Sequence, residues 1–290
     1  MFEALADGLG ANLDERAARG FEEGRLRQGS LWLTCLPLDR LGCYLEKPAF
    51  RDAVAMRFGV PLPDPLPKNC PSCGETASIA HLLKCKRGGW VSRRHKAVLR
   101  AWKSYFEKAG ATYVVEEPLL LPVPRGVQVR HGTTLDPNAR ADLAVGGLVN
   151  VSTTLLDIAV IDTAANFRRG MTAERALEDY EQRKKRKYND RVGANGYNFS
   201  PLVCSVYGTL APEAARIANK VARGVDPDRG ERDSVIDLHA VMLQAAVIKA
   251  VSLCLRARSW AVPPPVVELA VPEDAVVCLA DAGVRDRDGY

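Results

Sequence analysis

The sequence contains no hydrophobic run long enough to span a lipid bilayer. Its most apolar stretch, residues 240–255, is too short and includes Gln244, Lys249 and Ser252, whereas a spanning helix needs about 20 mostly apolar residues. The N-terminus also lacks the basic start and apolar segment of a secretory signal peptide. We therefore expect no membrane association, and a buried helix around residues 240–255.

The cysteine pattern does not indicate a disulfide-rich secreted scaffold. Such scaffolds are short and evenly studded with cysteine, whereas this chain has 8 cysteines in 290 residues. Three of them are clustered between positions 70 and 85. We expect a reducing compartment, and we interpret the other five as small buried hydrophobic residues, namely Cys35, Cys43, Cys204, Cys254 and Cys278.

The overall composition is that of a soluble globular protein with one large domain or two ordinary ones. Hydrophobic residues make up 47% of the chain and charged residues 26%, with a formal net charge of +5. No internal repeat is visible. The mildly basic balance is compatible with a nucleic-acid partner but does not by itself identify one.

The clustered cysteines form one unit with a histidine, in the spacing C-x2-C-x7-H-x3-C. Its members are Cys70, Cys73, His81 and Cys85. Three thiolates and one imidazole complete the tetrahedral shell of a structural zinc ion and leave no open position for water. The alternative is a set of buried thiols beside an unrelated histidine. Nearby basic residues would also let a zinc knuckle touch a phosphate backbone, namely Lys68, Lys84, Lys86 and Arg87.

Hydrophobic periodicity after this cluster predicts an α/β fold. We expect the order helix, three strands, helix, strand between residues 91 and 210, which gives a mixed sheet flanked by helices. A further helix is predicted over 212–222, and a long last helix over 235–260. The predicted divisions are a helical N-terminal segment and linker (1–66), a zinc knuckle (67–90), an α/β domain (91–260) and a flexible Pro-rich, acidic tail (261–290).

The predicted helix over residues 91–109 has one apolar and one basic face. The apolar face includes His95, Val98 and Trp102, whereas the basic face consists of Arg93, Arg94, Lys96, Arg100 and Lys103. Basic faces of this kind grip a phosphate backbone without reading base sequence. We count Arg93, Arg94, His95, Lys96 and Arg100 as candidate nucleic-acid contacts, together with Arg183, Lys185 and Arg186 of a later helix.

Two aspartates lie inside apolar strand sequences. Asp142 is in ADLAV and Asp157 is in LLDIAVI. A carboxylate in such a place is costly unless it is paired or binds a cation, and two carboxylates meeting at one end of a sheet make an oxygen site that suits Mg²⁺. The alternative is that each caps a turn or pairs with an arginine such as Arg140.

A lysine in the helix over residues 173–191 falls on the side predicted to face the sheet. At about 100° per residue, Lys184 lies about 20° from the direction of Ala173, whereas Lys185 and Arg186 lie about 120° and 140° away. A buried-side lysine needs an acidic partner, which the two aspartates could supply. The alternative for the whole KKRK run is a solvated or nuclear-import-like basic patch.

Taken in order, these motifs resemble the C-terminal part of site-specific non-LTR retrotransposon proteins. The residues that carry the resemblance, over roughly 32–221, are the Cys-Cys-His-Cys unit followed by GG-x4-RH (Gly88 to His95), EEP (Glu116 to Pro118), RAD (Arg140 to Asp142), LLDIAV and K-x2-KY (Lys184 to Tyr188). In that family a zinc knuckle precedes a restriction-like endonuclease of the PD-(D/E)XK class.

The resemblance implies metal-dependent DNA cleavage on a restriction-endonuclease-like αβββαβ core. It implies that Asp142 and Asp157 bind Mg²⁺ or Mn²⁺, and that Lys184 replaces the lysine that most of the superfamily has two residues after the second acid, where this chain has Ala159. It gives supporting catalytic places to Lys187, Tyr188 and Glu117. It also implies DNA as substrate, a nuclear location, and as possible partners the element's RNA and a reverse transcriptase in the same or another chain.

The chain departs from the family in two ways. The proline before the first aspartate is replaced by Ala141, and no paired-aspartate polymerase signature is present. The main alternative is therefore a catalytically inactive, zinc-dependent DNA- or RNA-binding remnant, since a fold does not certify a function. A third interpretation, a scaffold that docks partners through the last helix, requires that helix to be exposed, whereas we expect it to be packed on the core.

Overall fold

The protein is described by a computed structural model that covers residues 13–26, 29–34, 42–149, 152–165, 170–225 and 233–256. Its order of helices and strands is α1 (Glu15–Arg25), α2 (Leu31–Thr34), α3 (Lys47–Phe58), α4 (Ile79–Lys84), α5 (Trp90–Lys108), β1 (Tyr113–Glu116), β2 (Leu143–Val149), β3 (Ser152–Ile161), α6 (Ala173–Gly193), β4 (Asn198–Ser205), α7 (Pro212–Val225) and α8 (Asp233–Arg256). This is an α/β protein, as predicted.

The four strands form one mixed sheet in the order β1-β2-β3-β4. The pairs β1–β2 and β2–β3 are antiparallel, and β3–β4 is parallel with Asp157 opposite Pro201. Parallel neighbours require a crossover connection, which α6 provides. The predicted mixed sheet flanked by helices is therefore confirmed at this level.

One face of the sheet carries the main hydrophobic core. Residues such as Leu143 and Leu156 on the strands, Trp102 and Phe106 on α5, and Val251 on α8 are buried in the same cluster. The predicted docking face of the last helix is therefore covered within the chain itself, as expected. No helix in the described ranges is both long and apolar enough to cross a membrane.

Helix α6 covers the other face through two separate apolar clusters. The first joins Tyr188 and Val192 to residues of β2 and β3, including Leu155. The second joins Leu177 to Ala159 and to residues of β3 and β4. Between these clusters, Lys184 lies on α6 and Asp157 lies on β3, so the polar site occupies the gap between two packed regions.

The N-terminal helices are tied to the end of β3 and β4. Arg16 of α1 forms two hydrogen bonds with Asp162, and the buried carboxylate of Glu23 accepts hydrogen bonds from Thr163 and Ser205. Burial is the largest influence on Glu23 and raises its pKa. These contacts hold α1 on the α/β body rather than apart from it.

The Cys/His unit shares the main core. Cys70, Cys85 and Leu82 belong to the same buried cluster as α5 and the sheet, and the Cys254 thiol of α8 lies 3.5 Å from the Leu82 carbonyl oxygen. The segment predicted as a separate small division, residues 67–90, is thus packed as part of the α/β core.

The strand predicted within residues 111–121, closed by Glu116 to Pro118, ends where expected. β1 ends at Glu116, and Glu117 has a positive φ of 49°. A non-glycine residue in that region breaks an extended strand, and Pro118 follows it. Residues 117–140 form a long connection, called the insert below, where the sequence predicts a turn-rich segment over 122–139.

Some predictions lie outside the described residues. These are the tail over 261–290, the end of the last helix at 257–260, and the burial of Cys35 and Cys278. Cys43, Cys204 and Cys254 are buried, as predicted.

Candidate active site

The Cys/His unit folds as a short turn followed by a helix. The N–H of Gly74 donates to the carbonyl of Cys70, and Gly74 has a φ of 82° that a side chain would strain. Asn69 pairs with Thr76 across the turn. Helix α4 begins with the Ser78 hydroxyl accepting from the His81 N–H, which presents His81 and then Cys85 towards the turn.

The four predicted ligands converge on one point. The thiol and imidazole ligand atoms of Cys70, Cys73, His81 and Cys85 all lie within 4.8 Å of one another, so the group could hold a metal ion. A Cys₃His donor set with this closeness suits zinc. The predicted zinc knuckle is supported to this extent.

Neighbouring groups orient His81 and lower the pKa of Cys70, and both effects favour binding of a cation. The Glu75 carboxylate lies 3.2 Å from His81 Nδ1, leaving His81 Nε2 on the side of Cys73 Sγ at 3.1 Å. A carboxylate on the far ring nitrogen orients a metal-binding histidine. Burial opposes ionisation of Cys70, but hydrogen bonds, first from the Ser72 backbone, lower its pKa to about 6.

The second site begins with Asp157 in the middle of β3. The residue is only 7% exposed. Burial is the largest influence and raises its pKa, and the negative charge of Asp142 acts in the same direction, whereas Lys184 opposes both. A carboxylate placed here without a cation would be costly.

Lys184 supplies that cation from α6. Its Nζ atom lies 2.7 Å from Asp157 Oδ2, although its approach is off the standard hydrogen-bond direction. Burial alone would lower the pKa of Lys184, but the negative charge of Asp157 acts against burial, and the pKa is raised. The rings of Tyr180 and Tyr188 each lie 5.8 Å from Nζ and confine the ammonium.

Asp142 lies beside Asp157 across the strand pair. The register that pairs Leu143 with Leu156 continues to this position, where the Asp142 N–H donates to the Leu156 carbonyl at 2.9 Å. Asp142 Oδ2 accepts a hydrogen bond from the Ile158 N–H at 2.5 Å. The side chain therefore turns back over β3, next to Asp157.

His95 of α5 joins this group, which sequence reasoning did not predict. Its Nε2 atom lies 3.2 Å from Asp142 Oδ2 and 3.1 Å from the Ile158 carbonyl oxygen. Both partners are acceptors, so Nε2 carries the proton. The hydrogen bond with Asp142 is the largest influence on His95 and raises its pKa.

The prediction of His95 as a nucleic-acid contact did not include its contact with Asp142. Its position on the apolar side of the predicted helix was the available signal, because a histidine on that side faces the sheet. Only the strand register brings it to Asp142 and Ile158, two residues from different strands.

Two other predicted site residues are buried. Arg94 is 7% exposed, so its assignment to the basic outer face of α5 is wrong. Tyr188 is also 7% exposed and packs against the ring of Phe199, with centroids 5.3 Å apart. Its ring centroid lies 5.8 Å from Lys184 Nζ, so it borders the same site.

Lys187 and Glu117 lie at the edge of the site. Lys187 is exposed, with Nζ 4.9 Å from the Tyr188 ring centroid. Glu117 is exposed, and its backbone N–H donates to the Asp142 carbonyl at 3.0 Å. Glu117 thereby fixes the start of β2 through its main chain.

The remaining predicted cations divide into exposed and paired groups. Lys185 pairs with Glu213 at 3.3 Å, and Arg183 pairs with Asp179 at 3.4 Å while remaining largely exposed. Exposed positions of α5 and α6 that stay available to an outside phosphate are Arg93, Lys96, Arg100 and Arg186.

A buried arginine holds the insert against α6. Arg191 is 2% exposed and donates to three carbonyl oxygens, of Leu120 at 2.5 Å, Leu121 at 2.8 Å and Asp136 at 2.5 Å. Asp190 accepts from the Arg130 N–H at 2.6 Å. The insert is thus fixed beside the C-terminal half of the helix that carries Lys184.

Comparison with known proteins gives no assignment. No protein-family model matches the chain, and no curated protein matches it. Functional conclusions therefore depend on the geometry of the two sites.

Proposed function

We propose that the protein is a divalent-metal-dependent DNA endonuclease with a restriction-like αβββαβ core, derived from a non-LTR retrotransposon. The observation that carries this proposal is the contact of 2.7 Å between Lys184 Nζ and Asp157 Oδ2, beside the second carboxylate of Asp142. A binding module has no need for two neighbouring carboxylates and a confined lysine inside its packed strands.

The residues present fit a hard divalent cation. Two carboxylates and the Ile158 carbonyl are the oxygen donors that Mg²⁺ or Mn²⁺ prefers. Oxygens of Asp142 and Ile158 both lie near one atom, His95 Nε2. The N–H of this atom points at the two oxygens that would attract a cation. Asp142, Asp157 and the Ile158 carbonyl would hold the ion.

When bound, such an ion polarises the scissile phosphate and lowers the pKa of a water molecule. Lys184 would then offset the growing negative charge of the phosphate and orient the attacking water. Binding of the phosphate would draw the ammonium from Asp157, which frees that carboxylate for the cation. Lys187, at the open edge, would contact a neighbouring phosphate.

The exposed cationic side chains would bind the phosphate backbone of the duplex. Arg93, Lys96 and Arg100 lie on α5, while Arg186 and Lys187 lie on α6, so they come from the two helices that also provide His95 and Lys184. Contacts of this kind position a duplex without reading its sequence. The Cys/His unit would keep α5 in place by sharing its core. RNA of the parent element, a reverse transcriptase partner and a nuclear location are parts of the same proposal.

The test is cleavage of supercoiled plasmid by the zinc-loaded full chain with Mg²⁺ or Mn²⁺. We expect nicking by the wild type and loss of at least about 100-fold in Asp157→Asn, with the fold and DNA binding retained. Asp179→Asn, a half-exposed acid on α6 that pairs with Arg183, is the matched control and should cut normally. If neither the wild type nor the variants cut but all bind DNA, the chain is the inactive nucleic-acid-binding remnant instead.

A further inference from the structure

We infer that His95 is itself a ligand of the proposed cation site, and that its nitrogen favours Mn²⁺ over Mg²⁺. This inference rests on the proposed function, because it concerns the same cation. It goes further by adding a ligand from a helix and by naming a preference for a transition metal.

The distances around Nε2 carry the inference. Nε2 lies 3.2 Å from Asp142 Oδ2 and 3.1 Å from the Ile158 oxygen. In an octahedral shell with bonds of about 2.1 Å, neighbouring ligand atoms lie about 3.0 Å apart. Each of the two oxygens is therefore as far from Nε2 as neighbouring ligands of one ion would be.

The three atoms are also held in place independently. Asp142 Oδ2 is fixed by the Ile158 N–H at 2.5 Å, and the Ile158 carbonyl belongs to a central strand. His95 lies on α5, whose neighbouring residues Val98 and Leu99 are buried in the main core. A ligand set built on a strand pair and a packed helix is more rigid than one built on loops.

Asp157 is the more distant member of the set. In the described ranges, the Cys/His unit is the one group of three or more acidic, cysteine or histidine side chains whose ligand atoms all lie within 4.8 Å. Asp157 is held by Lys184 instead. It would join the ion after leaving Lys184, or through a bridging water.

The nitrogen decides the choice of metal. Mg²⁺ takes oxygen ligands and sheds its waters reluctantly, whereas neutral imidazole is a ligand of transition-metal ions. Binding requires the neutral ring with its single proton on Nδ1: the Nε2 proton passes to solvent, and Nδ1 keeps its own proton if the ring starts as imidazolium or takes one from solvent if the ring starts neutral. Without His95 the site would be an oxygen site with no reason to prefer Mn²⁺.

The experiment uses the full chain with its zinc unit filled, and Mn²⁺ as the probe. Electron spin-echo spectroscopy of bound Mn²⁺ detects directly coordinated nitrogen. We expect a ¹⁴N signal in the wild type and its loss in His95→Gln, with at least tenfold weaker Mn²⁺ binding by titration and little change for Mg²⁺. His131→Gln, which removes an exposed histidine of the insert, is the control and should keep the signal.

The outcomes separate this inference from the proposed function. Bound Mn²⁺ with no nitrogen signal, or a signal that survives in His95→Gln, overturns the ligand role even if DNA is cut. A nitrogen signal that depends on His95 supports the role even if no DNA is cut, in which case only the nuclease proposal fails. Absence of Mn²⁺ binding in the wild type overturns it as well.

Discussion

Lys184 and Asp157 form an ion pair across the interface between α6 and the sheet, with Nζ 2.7 Å from Oδ2. The pair lies between two apolar clusters that pack α6 against the sheet, and neither cluster includes Lys184 or Asp157. Burial raises the pKa of Asp157 and would lower that of Lys184, and at each group the charge of the partner opposes the effect of burial.

We expect Lys184→Met to abolish cleavage while the chain remains folded. The variant removes the positive charge near the phosphate, and a loss of at least about 100-fold in nicking rate is expected. Asp157 would also lose the positive charge that opposes the effect of burial, so its pKa should rise further. Plasmid nicking measures the loss of cleavage, and circular dichroism checks that the fold is retained. Lys185→Met, which leaves Lys184 in place, should cut within a few-fold of wild type, and equal loss in both variants would contradict the assignment.

Removal of zinc should destabilise the whole domain rather than the Cys/His unit alone. Cys70 and Cys85 are buried in the core that includes α5 and the sheet. Structural zinc contributes many kcal/mol to folding in small units, so we expect Cys73→Ser to lose zinc and to lower the melting temperature by about 10 °C or more. Metal analysis and thermal unfolding measure this. Cys43→Ala should keep its zinc, and a Cys73→Ser variant with unchanged zinc content would refute the ligand set.

Arg191→Met should loosen the insert. The substitution removes the donors to three carbonyls, and we expect a loss of about 2–4 kcal/mol in the free energy of unfolding. Hydrogen exchange should rise in residues 117–140 before it rises in the sheet. Arg186→Met, an exposed neighbour on α6, should change stability by less than about 0.5 kcal/mol. Unchanged exchange in the insert would show that Arg191 is not its anchor.

Glu181 should make the protein more stable at mildly acidic pH. Burial is the largest influence and raises its pKa to about 7 from an ordinary value of 4.5. The folded state then binds more protons than the unfolded state, so this contribution is complete below 4.5 and is lost as pH rises through about 7. Relative to Glu181→Gln, the wild type should gain melting temperature as pH falls from about 7.5 to about 5. Parallel profiles of the two proteins would contradict the shift.

The exposed cations of α5 should contribute to DNA binding without reading its sequence. We expect Arg93→Ala, Lys96→Ala and Arg100→Ala each to weaken binding similarly across unrelated duplexes. Each should also reduce the slope of log affinity against log salt by about 1. Lys103→Ala is the matched control, because its ammonium is already paired with Glu116 at 2.7 Å. An equal loss in Lys103→Ala would indicate a general charge effect instead of a binding face.

The Cys/His unit could be predicted from the sequence because its candidate ligands are close in the chain. A turn and one helical turn bring Cys70, Cys73, His81 and Cys85 together by local geometry alone. Lys184 could also be predicted as facing the sheet, because the period of a single helix decides which side a residue occupies. The burial of the last helix followed from its apolar composition.

The sequence by itself therefore determined the order of helices and strands, the Cys/His unit, and the residues that carry charge into the interior. Tertiary structure decided the burial of Arg94 and the contacts by which Arg191 holds the insert against α6. It also decided that His95 meets Asp142 and Ile158. The physical reason is that periodicity fixes the face of one element, whereas a contact between elements depends on strand register and helix placement, which the whole core sets together.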